Sequence, residues 1–530
     1  MGLPPLEHRT LLATLERALD AEDAVTQTDR AGTWTLAQAY ERSLRLGGGL
    51  GGGLGGGVDR PVALLLDNSL DAVHVWMGVV LTGGVEVPVN TAYKGAFLAH
   101  VLRDCGAETL VVEAHYLERL ARVADEVPAL RTVVVRGDPG DTLPPGRFRV
   151  RELAELDTAT AASPVRRGPD ELHAIMYTSG TTGLSKGVLI PHAHAYTYAS
   201  REHQERPRAG DRALVTLPVF HLAGQWYGVY QALIHAIGCV LEPGFSVGGF
   251  WSTVREHRIT VTVLLGAMAE LLAQRPPAAD DADNPLELAI MAPLASDVDT
   301  FRRRFGVELA AVYGMSEIGA VLDGPPETVV GGEAGFPRDG YDLRLVDDEG
   351  RDVAPGTIGE LVVRPRVPHT VMAGYHGRPD ETARVVRDGW LHTGDAFRTD
   401  EAGRFFFCDR MKDALRRRGE NVSSFEVERT VNAHPAIYES AVVAVPSALT
   451  EDEIKVVVVL QDDAELDPAE LTAFLVDRLP YFMVPRYVEV ADALPKTPTH
   501  KVQKNVLRDA GVGPTTWDRE AAGIRVTRNS

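Results

Sequence analysis

Short apolar runs alternating with amphipathic segments constrain this chain more than any other feature of its sequence. PVALLLDN (61–68) reads as a buried strand, and SLDAVHVWMGVVL (69–81) as the helix after it. VEVPVN, FLAHVLRDC and TLVVE repeat that order, and so do ALVTLPV, HLAGQWYGVYQALI and GCVLEPG. VTVLLG, LELAIMAP and ELAAVYG add strand-like runs, with helical DVDTFRRRF between the last two. A parallel strand pair needs a crossover long enough to hold a helix, so this spacing predicts parallel-rich sheets covered by helices. The fold class is α/β.

At 530 residues the chain is too long for one ordinary core. The pattern changes near 409–418, where FFFCDRMKDALRRRGENV passes from an aromatic strand to a basic turn. Short strands (AVVAVPS, KVVVVLQ, YVEV) and the helix PAELTAFLVDRL follow, the makings of a small α+β unit. The expected domains are 1–411 and 412–530, with the boundary at Lys412. One segment resists the alternation: LGGGLGGGLGGGV (46–58). Its nine glycines would weaken a helix by roughly 9 kcal/mol against alanine, more than three buried leucines return at about 2 kcal/mol each. A loose connection is expected there.

Charge narrows the partners. With 54 Lys and Arg against 74 Asp and Glu, the net charge of −20 repels nucleic acid and anionic membranes, and neither is an expected partner. The longest apolar stretches, 72–89 and 261–273, are interrupted by His74 and Glu86 or too short to span a bilayer. MGLPPLEHRT lacks a basic segment followed by an apolar one, so no secretory leader is expected. The three cysteines, Cys105, Cys239 and Cys408, lie far apart without metal-site spacing, which suits a reducing cytoplasm.

The strongest chemical signal is YTSGTTGLSKG (177–187), directly after the strand-like ELHAIM. Small residues let backbone N–H groups converge on phosphate oxygens, hydroxyls flank them, and Lys186 supplies counter-charge. It is not a Walker A loop, because Gly187 rather than Ser or Thr follows the lysine.

Together with YGMSE (313–317), WLHTGD (390–395), DRMKD (409–413), RGENV (418–422) and LPKTPTHK (494–501), this loop resembles the adenylate-forming superfamily. That superfamily holds acyl-CoA synthetases, luciferases and peptide-synthetase adenylation domains. The likeness runs from about Leu11 to Arg508. RRRGENVSSFEVE and MVPRYVEV with LPKTPT look most like its crotonobetaine/carnitine-CoA ligase-like branch. The resemblance implies a large N-terminal domain, a small mobile C-terminal one, and a two-step ligase using ATP, Mg²⁺ and coenzyme A. A carboxylic acid would become an acyl-adenylate, and the thiol of coenzyme A would then displace AMP.

The implied roles follow position by position. Thr178, Ser179, Thr181, Thr182 and Lys186, in the loop with Gly180 and Gly183, would hold the β- and γ-phosphates. Tyr313 would pack on adenine, beside Gly314, Met315, Ala292 and Pro293, with Ser316 at the α-phosphate. Glu317 would bind Mg²⁺, a hard cation that takes oxygen ligands. Asp395 would accept from both ribose hydroxyls, with Arg410 nearby. Lys412 would be the hinge, and Gly419 would line the pantetheine tunnel. Phe482, Arg486 and Lys94 would meet the coenzyme A nucleotide. Lys501 would stabilise charge building in the adenylation transition state. Arg416–Arg418 read equally well as a solvated basic face, Arg302–Arg304 as helix surface, and His192 and His392 as structural.

His221, Gln225, Gly266, Ala267, Met268, Leu294 and Gly319, with Ala223, Gly224, Ala295 and Ala320, would form the acyl pocket. Their mostly small, apolar side chains leave room for a bulky, largely hydrophobic acid. Four positions depart from the family: Ser185 replaces proline, Ser316 replaces threonine, Met291 replaces a small residue beside the nucleotide, and His500 replaces the glycine before Lys501. Met291 and His500 motivate a second reading, a non-adenylating enzyme that moves the acyl group from a preformed acyl-adenylate to coenzyme A. A third reading hands the acyl group to a carrier protein, and a fourth is a non-enzymatic nucleotide-binding module. Many members of the superfamily are dimers, and a homodimer is among the expectations.

Overall fold

The computed structural model describes residues 3–21, 25–51, 60–178, 185–273, 275–292, 294, 298–347, 349–410, 414–417, 420–447, 452–495, 502 and 504–527. Chain contacts divide it into two units: Met1–Thr91, Leu102–Tyr177 and Gly187–Asp409 in one, Ala92–Val101, Thr178–Lys186 and Arg410–Ser530 in the other.

The first unit is built on two large sheets. One orders its strands Gly374–Tyr375, Lys186–Pro191, Leu172–Thr178, Val85–Pro88, Pro61–Leu65, Thr109–Glu113, Thr132–Arg136 and Arg149–Glu152. From Leu172–Thr178 onward every neighbouring pair is parallel, as the helical crossovers require. The other sheet has a parallel centre of Gly238–Leu241, Arg212–Val215, Val261–Leu264, Leu288–Met291 and Glu308–Met315. At Met315 the chain reverses, and Gly319–Gly324 pairs antiparallel with the strand before it. The sheet then continues in the order Glu333–Pro337, Phe405–Arg410, Trp390–Thr399, Gly359–Pro365 and Tyr341–Val346.

The helix Leu70–Leu81 shows why the local sequence folds this way. Ser69 caps it by accepting from the N–H of Ala72 at 3.2 Å, and Asp71 sits in its positive first turn. Ten consecutive residues, Ala72 to Leu81, are buried, so the helix is apolar on all sides because it lies inside the core.

The glycine-rich segment departs from expectation. Leu46–Gly51 is the last part of the helix Leu36–Gly51, with Leu46, Gly47, Gly49 and Leu50 buried. A Cβ on Gly47 would lie 2.4 Å from the carbonyl oxygen of Gly78, and one on Gly78 would lie 2.4 Å from that of Ser43. The two helices meet backbone to backbone. The propensity sum counts what glycine costs a lone helix, and omits the dispersion gained when two backbones approach this closely. Residues 52–59 lie outside the described residues.

In the second unit, Ile437–Pro446 and Asp452–Leu460 pair antiparallel, Tyr487–Val490 joins in parallel, and Trp517–Asp518 closes the sheet. Arg417 corrects the reading of Arg416–Arg418 as a solvated face. Its guanidinium is buried, pairs with Glu453 at 2.8 Å and donates to the carbonyl of Val484 at 2.7 Å. Arg302 and Arg304 likewise hold neighbouring loops: Arg302 donates to the carbonyl of Pro326, and Arg304 pairs with Asp281 at 2.6 Å. Among the described residues no helix is long and apolar enough to cross a membrane.

Candidate active site

Open α/β sheets bind ligands beyond the C-terminal ends of their parallel strands, and Glu308–Met315 ends there in the YGMSE turn. The turn is tight because of two glycines. A Cβ on Gly314 would lie 2.3 Å from the carbonyl oxygen of Gly319, and Gly319 has φ +80°, which disfavours any side chain. The register shifts between Tyr313 and Gly314, and such a bulge re-aims the side chain it carries. Ser316 and Glu317 are buried. The Glu317 backbone carbonyl accepts from the N–H of Met372 at 2.9 Å, and its carboxylate Oε1 accepts from the Tyr375 hydroxyl, also at 2.9 Å. Burial and the Glu317 charge push the Tyr375 phenol far up, so it stays a donor. His194, fully buried, faces the backbone of Ser316 and Val371, and burial lowers its pKa to about 4.

Asp395 is presented the same way. The register shifts between Glu360 and Val362 opposite WLHTGD, and Gly394 takes φ +72°. Glu360 accepts from the N–H of Gly394 at 2.9 Å and pairs with His392 at 2.7 Å, so His392 is structural, as expected. The buried Asp395 accepts the Tyr313 hydroxyl on Oδ2 at 2.6 Å. The Tyr313 ring stands edge-on to Phe397, centroids 4.7 Å apart. Tyr313, Gly314, Met315, Ser316, Glu317 and Asp395 are thus brought together.

The rest of the expected site is placed in pieces. Thr178 ends the strand Leu172–Thr178 and Lys186 begins Lys186–Pro191, while Ser179, Gly180, Thr181, Thr182 and Gly183 lie outside the described residues. Ser185 is buried, and its carbonyl accepts from His100 at 2.8 Å. Met291 is fully enclosed by the core around Leu264 and Ala311. Ala292 is half-buried and Leu294 buried, whereas Pro293, Ala295 and the side chain of Ala267 are outside what is described. Gly266 opens the helix Gly266–Ala273, and the Met268 sulfur accepts from the N–H of Leu265 at 3.4 Å. His221, half-buried, stands before the short helix Leu222–Gly224, and its backbone carbonyl accepts from the N–H groups of Gly224 and Gln225.

In the second unit Phe482 is buried in the interior, and Arg486 is held by Asp518 at 2.8 Å. Lys94 is half-buried. Lys412, Gly419, His500, Lys501 and the side chain of Arg410 lie outside the described residues.

Sequence reasoning missed three residues. Tyr375 is one; its only signal is the Gly-Tyr step in AGYHG. Asn68 is another: it donates to the carbonyls of Leu217 and Glu242 at 3.0 and 3.1 Å and accepts from the N–H of Val219 at 2.8 Å, fixing the segment before His221. The third is Glu86, which read only as a break in an apolar stretch. It is buried on Val85–Pro88 and accepts from Gln225 Nε2 at 2.6 Å. Burial pushes its carboxyl up to about 8, the Gln225 bond opposing this in part.

Among the described residues no group of three or more His, Cys, Asp or Glu could hold a metal alone. Mg²⁺ is commonly bound through one or two carboxylates plus substrate phosphates and waters. Glu317, a buried hard-oxygen donor on a fixed turn, is suited to such a role.

The family model of the AMP-binding enzyme matches residues 15–376, and that of the AMP-binding enzyme C-terminal domain matches 426–501. The chain is 31% identical over 459 residues to the crotonobetaine/carnitine–CoA ligase of Salmonella paratyphi A, covering 84% of this chain and 88% of that one. Amide bond synthetase McbA from Marinactinospora thermotolerans superposes with a TM-score of 0.81 and 26% identity, over 94% of this chain and 99% of that one. ATP-bound MatB from Rhodopseudomonas palustris gives 0.68 and 28%, over 94% and 98%. With both family models matched in order along most of its length, the chain belongs to the AMP-binding enzymes, the adenylate-forming superfamily.

Proposed function

We propose that this AMP-forming acyl-CoA ligase acts on a bulky, largely apolar carboxylic acid, through an acyl-adenylate, in the cytoplasm. The observation that carries the reading is the pair of buried carboxylates, Glu317 and Asp395, each held by a tyrosine hydroxyl. Asp395 accepts from the ribose hydroxyls, and the Tyr313 ring covers the adenine. Thr178, Ser179, Thr181, Thr182 and Lys186 hold the β- and γ-phosphates. When bound at Glu317, Mg²⁺ neutralises phosphate charge.

The acid's carboxylate oxygen attacks the α-phosphorus and pyrophosphate leaves. Lys501 meets the charge that builds in this step, and a donor so aimed is typically worth about 10²–10³ in rate. The second domain then turns about Lys412. The thiol sulfur of coenzyme A attacks the acyl carbon, the bond to AMP breaks, and the thiol proton leaves to solvent. Gly419 borders the incoming pantetheine.

ATP–pyrophosphate exchange over a panel of carboxylic acids, without coenzyme A, tests the reading. Exchange with bulky apolar acids, and little with acetate, is expected. Strong exchange with acetate alone would contradict the substrate class. Thioester formed only from preformed acyl-adenylates would place the first half-reaction in another protein.

A further inference from the structure

Glu86 and Gln225 leave hydrogen-bonding capacity unused in the interior. Gln225 Nε2 donates to Glu86 Oε1, but Glu86 Oε2 and Gln225 Oε1 meet no partner. Only 1% and 2% of these residues is exposed. Whichever way the Gln225 amide is turned, one of its polar atoms and one carboxyl oxygen stay unmet. Leaving a buried polar group unbonded is costly, and native proteins seldom tolerate it without a ligand, ion or water.

Both side chains border one small cavity, whose other walls include Leu64, Ala72, Val73, Trp76, Val219 and Phe220. Of these other walls only Trp76 carries a polar side-chain group, and its indole N–H donates to His173 at 3.1 Å. The free space admits about one water-sized group. Gln225 and Phe220 flank His221, and the cavity therefore adjoins the segment assigned to the acyl group.

We propose that Glu86 and Gln225 recognise a single small hydrogen-bonding group, hydroxyl or amino, on the acyl substrate away from its carboxylate. The inference rests on the reading that His221–Gln225 border the acyl group. It deepens that reading: the acid is apolar along its length and polar at its far end. A hydroxyl matches a protonated Glu86, accepting from the carboxyl and donating to Gln225. An ammonium matches an ionised Glu86 and donates to both residues. Sites that bond a substrate hydroxyl or amine discriminate strongly against analogues lacking it, because their own polar atoms are then left unpaired.

Matched acids of equal length ending in methyl, hydroxyl or amino groups would be compared by kcat/KM for thioester formation. The wild type should prefer the best hydroxyl- or amino-terminated acid over its methyl partner by about 100-fold or more. Glu86→Leu and Gln225→Leu should invert that preference. Glu86→Gln, close in shape and unable to ionise, should keep a hydroxyl preference and lose an amino one, separating the two. Equal or better use of methyl-terminated acids, with the ratio unchanged in the folded Glu86 variants, would mean that the cavity holds only water and would overturn the proposal. ATP binding without turnover of any acid would instead overturn the ligase reading, and the proposal with it.

Discussion

Glu317 and Asp395 are far apart in sequence, yet each is a buried carboxylate fixed by one tyrosine hydroxyl. A hydrogen bond to a charged group contributes about 1.5–3 kcal/mol. Tyr375→Phe should therefore lower kcat/KM for Mg·ATP by about 10- to 100-fold with little change in melting temperature; steady-state AMP release at several Mg²⁺ concentrations would measure it. Glu86 gives a pH signature. Its carboxyl is raised from 4.5 to about 8 on folding. Between those values the unfolded chain loses the proton and the folded chain keeps it, so stability falls as pH rises, and levels off above 8. Glu86→Gln does not titrate. Its melting temperature relative to the wild type should climb from pH 5 to pH 8.5, and a constant difference would show an ordinary carboxyl. Glu317 and Asp395 were legible because each sits in a contiguous motif. Tyr375 and Glu86 were not, because their partners lie 58 and 139 positions away.

At the scale of elements, the apolar runs were readable because parallel strands bury both faces, as Val261–Leu264 and Leu288–Met291 do throughout. HLAGQWYGVYQALI was readable as helix, but not its π-helical turn over Gln225–Tyr230, which breaks the ordinary helical period. The glycine helix was misread because its stability comes from a partner 31 residues away, Gly78 against Gly47. Two substitutions separate these effects. Gly47→Ala drives a methyl into the Gly78 carbonyl and should destabilise by about 1–3 kcal/mol. Gly51→Ala meets nothing within 4 Å and should be neutral, or stabilise by up to about 1 kcal/mol. Equal losses in denaturant titrations would show that propensity, not close approach, governs this helix.

Across the whole molecule, several buried or half-buried histidines lie in the unit that ends at Asp409. Burial lowers His74 and His192 to about 3, His194 and His235 to about 4, and His173 further still. Unfolded histidine binds its proton near 6.5, so below that pH the unfolded state takes up more protons and stability falls as pH drops toward 4. The melting temperature should fall steeply from pH 6.5 to pH 4.5; a flat profile would mean that these rings are protonated in the fold. The sequence alone conveyed an α/β chain with a smaller unit near its end, because the period of the apolar pattern changes there. His192 reads as structural from the sequence, but the burial of His74 and His194 on helices and of His173 on a strand depends on what packs over them, which the local pattern does not carry.

The most direct test separates the two half-reactions. The wild type, given acid, ATP and coenzyme A, should release AMP and thioester in equal amounts. Lys501→Ala should lose that activity by about 10²–10³, yet still form thioester from a preformed acyl-adenylate. ADP in place of AMP, or unchanged turnover of acid and ATP in Lys501→Ala, would contradict it.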